Sequence, residues 1–115
     1  MYKALHLSPM IPSYNIKETA AFFTDVLSFT FFMNEENYAV LVKDNLMIHV
    51  LNAGDIGEME FYLEIDDIDG LWEEIKDKLT GLKVRAPFNR EYGMREMHII
   101  IPQTKTLLFI GQGVK

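Results

Sequence analysis

The chain has 115 residues, 49% of them apolar and 24% charged, which suffices for one domain with a buried core and excludes a disordered chain. It contains no cysteine, so a disulfide scaffold, a thiolate metal centre and a cysteine nucleophile are excluded. A formal net charge of −6 argues against a general binder of phosphate backbones and weakly favours a cationic or neutral ligand over an anionic one.

In chain order, residues 3–11 (KALHLSPMI) read as a strand interrupted at Pro9, which cannot donate to a ladder and marks an edge or a break. Asn15 opens a helix as its cap, with Glu18 three residues on. Ile16, Ala20, Phe23 and Leu27 recur at helical spacing on one face. Residues 28–34, rich in Phe and Thr, read as a strand, followed by a turn at 34–37. Two further strands are expected at 38–42 and 46–51, around a tight turn at 43–45. A polar loop with two glycines at 52–58 is the linker.

The order then repeats. Residues 60–65 alternate as a strand, and Asp66 or Asp67 caps a second helix whose apolar face is Ile68, Leu71, Trp72, Ile75 and Leu79, with Gly81 as its stop. Strands are expected at 82–85, 96–101 and 106–110, with a polar, aromatic loop at 87–93 and a turn at 102–105. Each half therefore reads β-α-β-β-β. An offset of 52 lays Asn15-Ile16 on Asp67-Ile68, and an offset of 59 lays the turn 42–46 on 101–105. The expectation is a single domain over 1–115, with module one at 1–53 and module two at 58–115.

The run Asn15–Phe29 resembles the D-x-x-x-A-x-x-F/Y-Y-x-x-x-L-G-F helix of the vicinal oxygen chelate superfamily, which holds glyoxalase I, bleomycin-resistance proteins, fosfomycin-resistance enzymes and extradiol dioxygenases. Phe61–Asp69 (FYLEIDDID) resembles the F-x-V-D-D-I-D/E opening of its second module. Tyr92-Gly93-Met94-Arg95-Glu96 resembles the W/Y-G-x-R-E/D run of bleomycin-resistance-like members, and 101–105 stands where the family has D-P-D-G-N. The resemblance implies an α+β fold of two βαβββ modules, forming a curved, cup-shaped mixed sheet with helices on the convex face, usually completed in a homodimer.

The resemblance also implies four site positions at equivalent points of the two modules: Ser8, His49, Glu60 and Leu108. Leucine cannot ligate and serine is a poor ligand, so only His49 and Glu60 suit a divalent ion such as Ni, Zn, Mn or Fe. His6 lies two residues from Ser8, on the same strand face, and supplies a third ligand if Pro9 shifts the register. Met47 shares the face of His49, and Tyr62 shares that of Glu60 and Glu64. Arg95 either anchors an anionic group or pairs with Glu96 or Glu91; His98 alternates with Glu96 and Ile100 and is expected to be structural or solvent-facing.

The resulting expectation is a small-molecule binding protein with no metal and no cofactor, its ligand lined by His6, Ser8, Met47, His49, Glu60, Tyr62 and Arg95. The alternative is a metal-dependent, glyoxalase-like lyase or isomerase acting on vicinal oxygens, so the sequence leaves open whether the protein is an enzyme. No apolar run reaches the roughly 18 residues of a membrane helix. The N-terminal residues lack the basic region and cleavage site of a leader. The expected location is cytoplasmic, without membrane or nucleic-acid partners.

Overall fold

Two capping side chains fix where the helices begin. In the computed structural model, which describes residues 1–114, the Asn15 side chain accepts the Glu18 amide at 3.2 Å and Asp67 accepts the Gly70 amide at 3.0 Å. Each satisfies an amide that the first helical turn leaves without a partner. The elements are β1 (Met10–Ser13), α1 (Ile16–Asp25), β2 (Thr30–Glu35), β3 (Tyr38–Lys43), β4 (Leu46–Asn52), β5 (Met59–Glu64), α2 (Ile68–Ile75), β6 (Val84–Asn89), β7 (Met94–Ile100) and β8 (Thr106–Gly113). A 3₁₀ turn at Lys76–Lys78 extends α2, and Gly81, at φ +85°, turns the chain out of it.

The fold is α+β, two βαβββ modules in sequence. The sheets have the orders β1-β4-β3-β2 and β5-β8-β7-β6, each with its first strand parallel to its last and the remaining pairs antiparallel. They are two open four-stranded sheets, not one continuous cup. Their edges explain this. Pro12 in β1 and Pro87 in β6 have no N–H to offer a neighbour, and β2 and β6 carry bulges. Each sheet rests one face on its helix and leaves the other uncovered by the chain.

One apolar core runs through both modules, from Ile11, Phe23 and Val50 to Ile68, Ile99 and Ile110. Polar links join them as well: the Tyr14 amide donates to the Gln103 carbonyl at 2.9 Å, and the Thr19 hydroxyl donates to the Pro102 carbonyl at 2.8 Å.

Three differences from the sequence reading bear on the site. Strand β1 begins at Met10, so residues 3–9 belong to no strand, although the Pro9 carbonyl already accepts the His49 amide. Strand β6 runs through Pro87 to Asn89, because an edge position at a bulge tolerates a residue that cannot donate. The third difference is the module offset. Val42 opposes Met47 across the first hairpin, whereas Ile100 opposes Leu107 across the second, which is two residues longer. One extra residue on each arm makes the offset 58 on the β7 side and 60 on the β8 side. His49 therefore corresponds to Phe109, not to Leu108. A slip of one residue reverses the face, so Leu108 is buried in the core instead of lining a site.

Candidate functional site

Strand register arranges the uncovered face of the second sheet in rows. One row crosses all four strands: Arg85 opposes His98, His98 opposes Phe109, and Phe109 opposes Tyr62. The next row is Phe88, Glu96, Gly111 and Glu64; the row on the other side is Ile100, Leu107 and Glu60. Alternation puts Met97, Ile99, Leu108 and Ile110 on the opposite, core face.

Aromatic rings pave the central row. Tyr62 and Phe109 are stacked with centroids 6.0 Å apart, His98 lies 4.4 Å from Phe109, and Phe88 meets His98 edge-on at 5.3 Å. The Arg85 guanidinium lies 3.6 Å from the centre of the Phe88 ring.

Glu96 sits fully buried beneath this paving and collects four donors. Oε1 accepts from Arg90 at 2.8 Å, the Tyr92 hydroxyl at 2.7 Å and His98 Nε2 at 2.8 Å; Oε2 accepts the Tyr62 hydroxyl at 2.8 Å. Burial by itself would raise the carboxyl pKa. The hydrogen bonds from His98, Tyr92 and Tyr62 outweigh it and hold the pKa at about 2. Burial first, and then the hydrogen bond to Glu96, push the Tyr62 phenol up, so it remains a donor. Gly111 makes the contact possible, since a Cβ there would land on the Tyr62 hydroxyl. The result is a carboxylate that stays ionised and fixes two phenols, an imidazole and a guanidinium.

A hollow of about 850 Å³ adjoins this face, lined by Glu60, Lys83, Ile100, Lys105 and Leu107 among others. It follows the row of Ile100, Leu107 and Glu60, one step from Arg85, His98 and Phe109.

Of the residues expected from sequence, Glu60 and Tyr62 lie on this face. Met47 and His49 lie on the uncovered face of the first sheet, where the Tyr38 hydroxyl and His49 Nδ1 are 2.6 Å apart. Ser8 is half-buried with an unpartnered hydroxyl, and His6 is exposed, outside any strand. Arg95 is on the opposite face of β7, where its Nε donates to Asp69 of α2 at 3.0 Å and Nη1 to Asn89 at 3.2 Å. It ties sheet to helix instead of facing a ligand.

The corrected register puts Ser8, His49, Glu60 and Phe109 at the four equivalent positions. That donor set does not fit a divalent ion, since a phenyl ring cannot ligate and a serine hydroxyl is a poor ligand, which leaves His49 and Glu60 as two donors where three are needed. Among the described residues no three His, Asp or Glu side chains converge. The sequence reading missed Arg85, Phe88, Arg90, Tyr92, Glu96, His98 and Phe109 as a group. The available signal was the alternation of Glu96 and His98 along one strand, combined with a hairpin length only the pairing reveals.

The sequence matches no family model and no curated protein. Its fold, however, is close to that of several solved structures. One is a bleomycin-binding protein from the bleomycin-producing Streptomyces verticillus, in complex with copper(II)-bleomycin (TM-score 0.83, 18% identity, 98% of this chain and 99% of that one). Another is the bleomycin resistance determinant of transposon Tn5 (TM-score 0.79, 20% identity, 96% and 98%). A lactoylglutathione lyase from Agrobacterium tumefaciens aligns with TM-score 0.75, 14% identity, 96% and 95%. At these identities the likeness is one of fold.

Proposed function

We propose that the protein binds a small molecule on the uncovered face of module two, without a catalytic metal. The observation that carries the reading is Phe109, which occupies the β8 site position with a stacked ring in place of a ligand and continues an aromatic row from Tyr62 to His98. A rigid aromatic surface beside a few fixed polar groups is the usual make-up of a small-molecule site. Fold-sharing proteins that bind bleomycin support the reading by analogy.

The reading includes a homodimer. Tyr2, Leu5 and Leu7 of the N-terminal segment are 85%, 82% and 98% exposed, and both sheets have an uncovered face. Apolar surface of this kind favours a second copy. Sedimentation equilibrium is expected to give twice the chain mass; a monomer at tens of micromolar would remove this part. We place the protein in the cytoplasm, in keeping with a cysteine-free chain; no helix is long and apolar enough to cross a membrane.

Calorimetry tests the central reading. Metal-free bleomycin and planar aromatic compounds are titrated into the wild type and Phe109→Ala. Binding that the substitution weakens at least about tenfold supports the site. The competing lyase or isomerase reading is tested by titrating metal-stripped protein with Ni²⁺, Zn²⁺, Mn²⁺ and Fe²⁺. Stoichiometric, micromolar binding that His49→Ala abolishes would overturn the metal-free reading.

A further inference from the structure

We propose that the ligand of this face is an aromatic acid: a planar ring lying on His98 and Phe109, with an anionic group held by Arg85. This rests on the reading of module two as a small-molecule site and names the class of molecule it takes. The overall charge of −6 favours a cationic or neutral ligand, but binding answers to the local arrangement of charge.

Four observations point to an anion. Arg85 is exposed, and no carboxylate among the described residues lies within ion-pair distance of it. The other arginines differ: Arg90 is used by Glu96 and Glu91, and Arg95 by Asp69. Arg85 is also already positioned, with its guanidinium stacked on Phe88 at 3.6 Å, so less side-chain freedom is lost on binding. Finally, Lys83, two residues before it, lines the adjoining hollow and adds a second cation on that flank.

The acidic groups of the face are disposed so as not to oppose this. Glu60 and Glu64 are on β5, the far edge of the sheet. Three strand spacings of about 4.8 Å separate that edge from β6, roughly 14 Å. Glu96 lies closer, but it is buried and its oxygens are taken by Arg90, Tyr62, Tyr92 and His98. The face is therefore polarised: the cation is at β6, rings follow at β7, β8 and β5, and the free carboxylates Glu60 and Glu64 lie at the β5 edge in the flanking rows. A ring over His98 and Phe109 is one to two spacings from Arg85, the reach of a carboxylate carried directly on a fused ring system or on a short stem. The guanidinium fork matches a carboxylate in a two-pronged hydrogen bond.

Three probes of equal ring size separate the cases: 2-naphthoate, 2-naphthalenemethanol and 2-naphthylmethylammonium. Each is titrated into the folded protein, followed by calorimetry and by amide shifts at His98 and Phe109. The expected order is naphthoate tightest, by about tenfold over the alcohol, with the ammonium compound weakest. In Arg85→Gln the naphthoate advantage is lost while the alcohol affinity is unchanged, and Phe109→Ala weakens all three. If the alcohol or the ammonium compound binds as well as naphthoate, or if the naphthoate advantage survives Arg85→Gln, the assignment of an acid to Arg85 falls and the ligand site stands. If no probe binds and the His98 and Phe109 amides do not move, the site itself falls, and this inference with it.

Discussion

The row Met10, His49, Val40 and Met33 in module one and the row Tyr62, Phe109, His98 and Arg85 in module two occupy the same places, strand for strand. The backbones match, yet the chemistry of the faces does not. In module one the Tyr38–His49 hydrogen bond sits among methionine and valine side chains. In module two the place of Tyr38 is taken by Glu96, and the place of Leu51 by Gly111. Removing that side chain from β8 opens a path for the Tyr62 hydroxyl to reach the carboxylate. Two exchanges at equivalent points thus turn an apolar face into a polar network under an aromatic row. A repeated module supplies positions, and the residues placed there decide the chemistry of each open face.

Substitutions that strip one network and spare the other sharpen this comparison. The largest effect is expected from Glu96→Ala, which leaves the Tyr62 and His98 donors without an acceptor. Urea unfolding should show a loss of about 2–4 kcal/mol. A loss below about 1 kcal/mol would mean the donors are satisfied without Glu96. Next comes Gly111→Ala, expected to cost about 1–3 kcal/mol through the collision with Tyr62. In a Tyr62→Phe background the cost should shrink, and additive costs in the double-mutant cycle would show that the collision is not with the hydroxyl.

Acid separates the modules in another way. The Glu96 carboxyl lies at about 2 in the folded chain against an ordinary 4.5, so the unfolded chain takes up the proton first as pH falls. The stability owed to Glu96 is complete above about pH 4.5 and is lost progressively toward pH 2. Glu96→Gln should flatten this part of the stability curve, whereas Tyr38→Phe should leave its slope intact. Smaller still is Tyr38→Phe at neutral pH, expected to cost about 0.5–1.5 kcal/mol for one hydrogen bond. Smallest is Arg95→Ala. Its pair with exposed Asp69 is worth about 0–1 kcal/mol, and naphthoate affinity should not change, because the side chain is on the helix side of the sheet.

The sequence by itself determined the order of elements, the helix cap at Asn15 and a second at Asp66 or Asp67, the apolar faces of the helices and the existence of a repeat. These are local: a cap satisfies an amide three residues away, and a helical face is written in spacings of three and four. It also put Tyr62, Glu60 and Glu64 on a common face, since alternation within one strand is local too. Only the tertiary structure decided which residue of β8 stands opposite them. That choice depends on the length of the hairpin between β7 and β8, and one residue on each arm exchanges Leu108 for Phe109 between core and open face. The gathering of Tyr62, Arg90, Tyr92 and His98 on Glu96 joins two strands and a turn; the spacing of Glu96 and His98 is local, but only strand pairing brings Tyr62 to them. Arg95 makes the same point in reverse. Next to Glu96 in sequence, it points to the opposite side of the sheet and serves the fold.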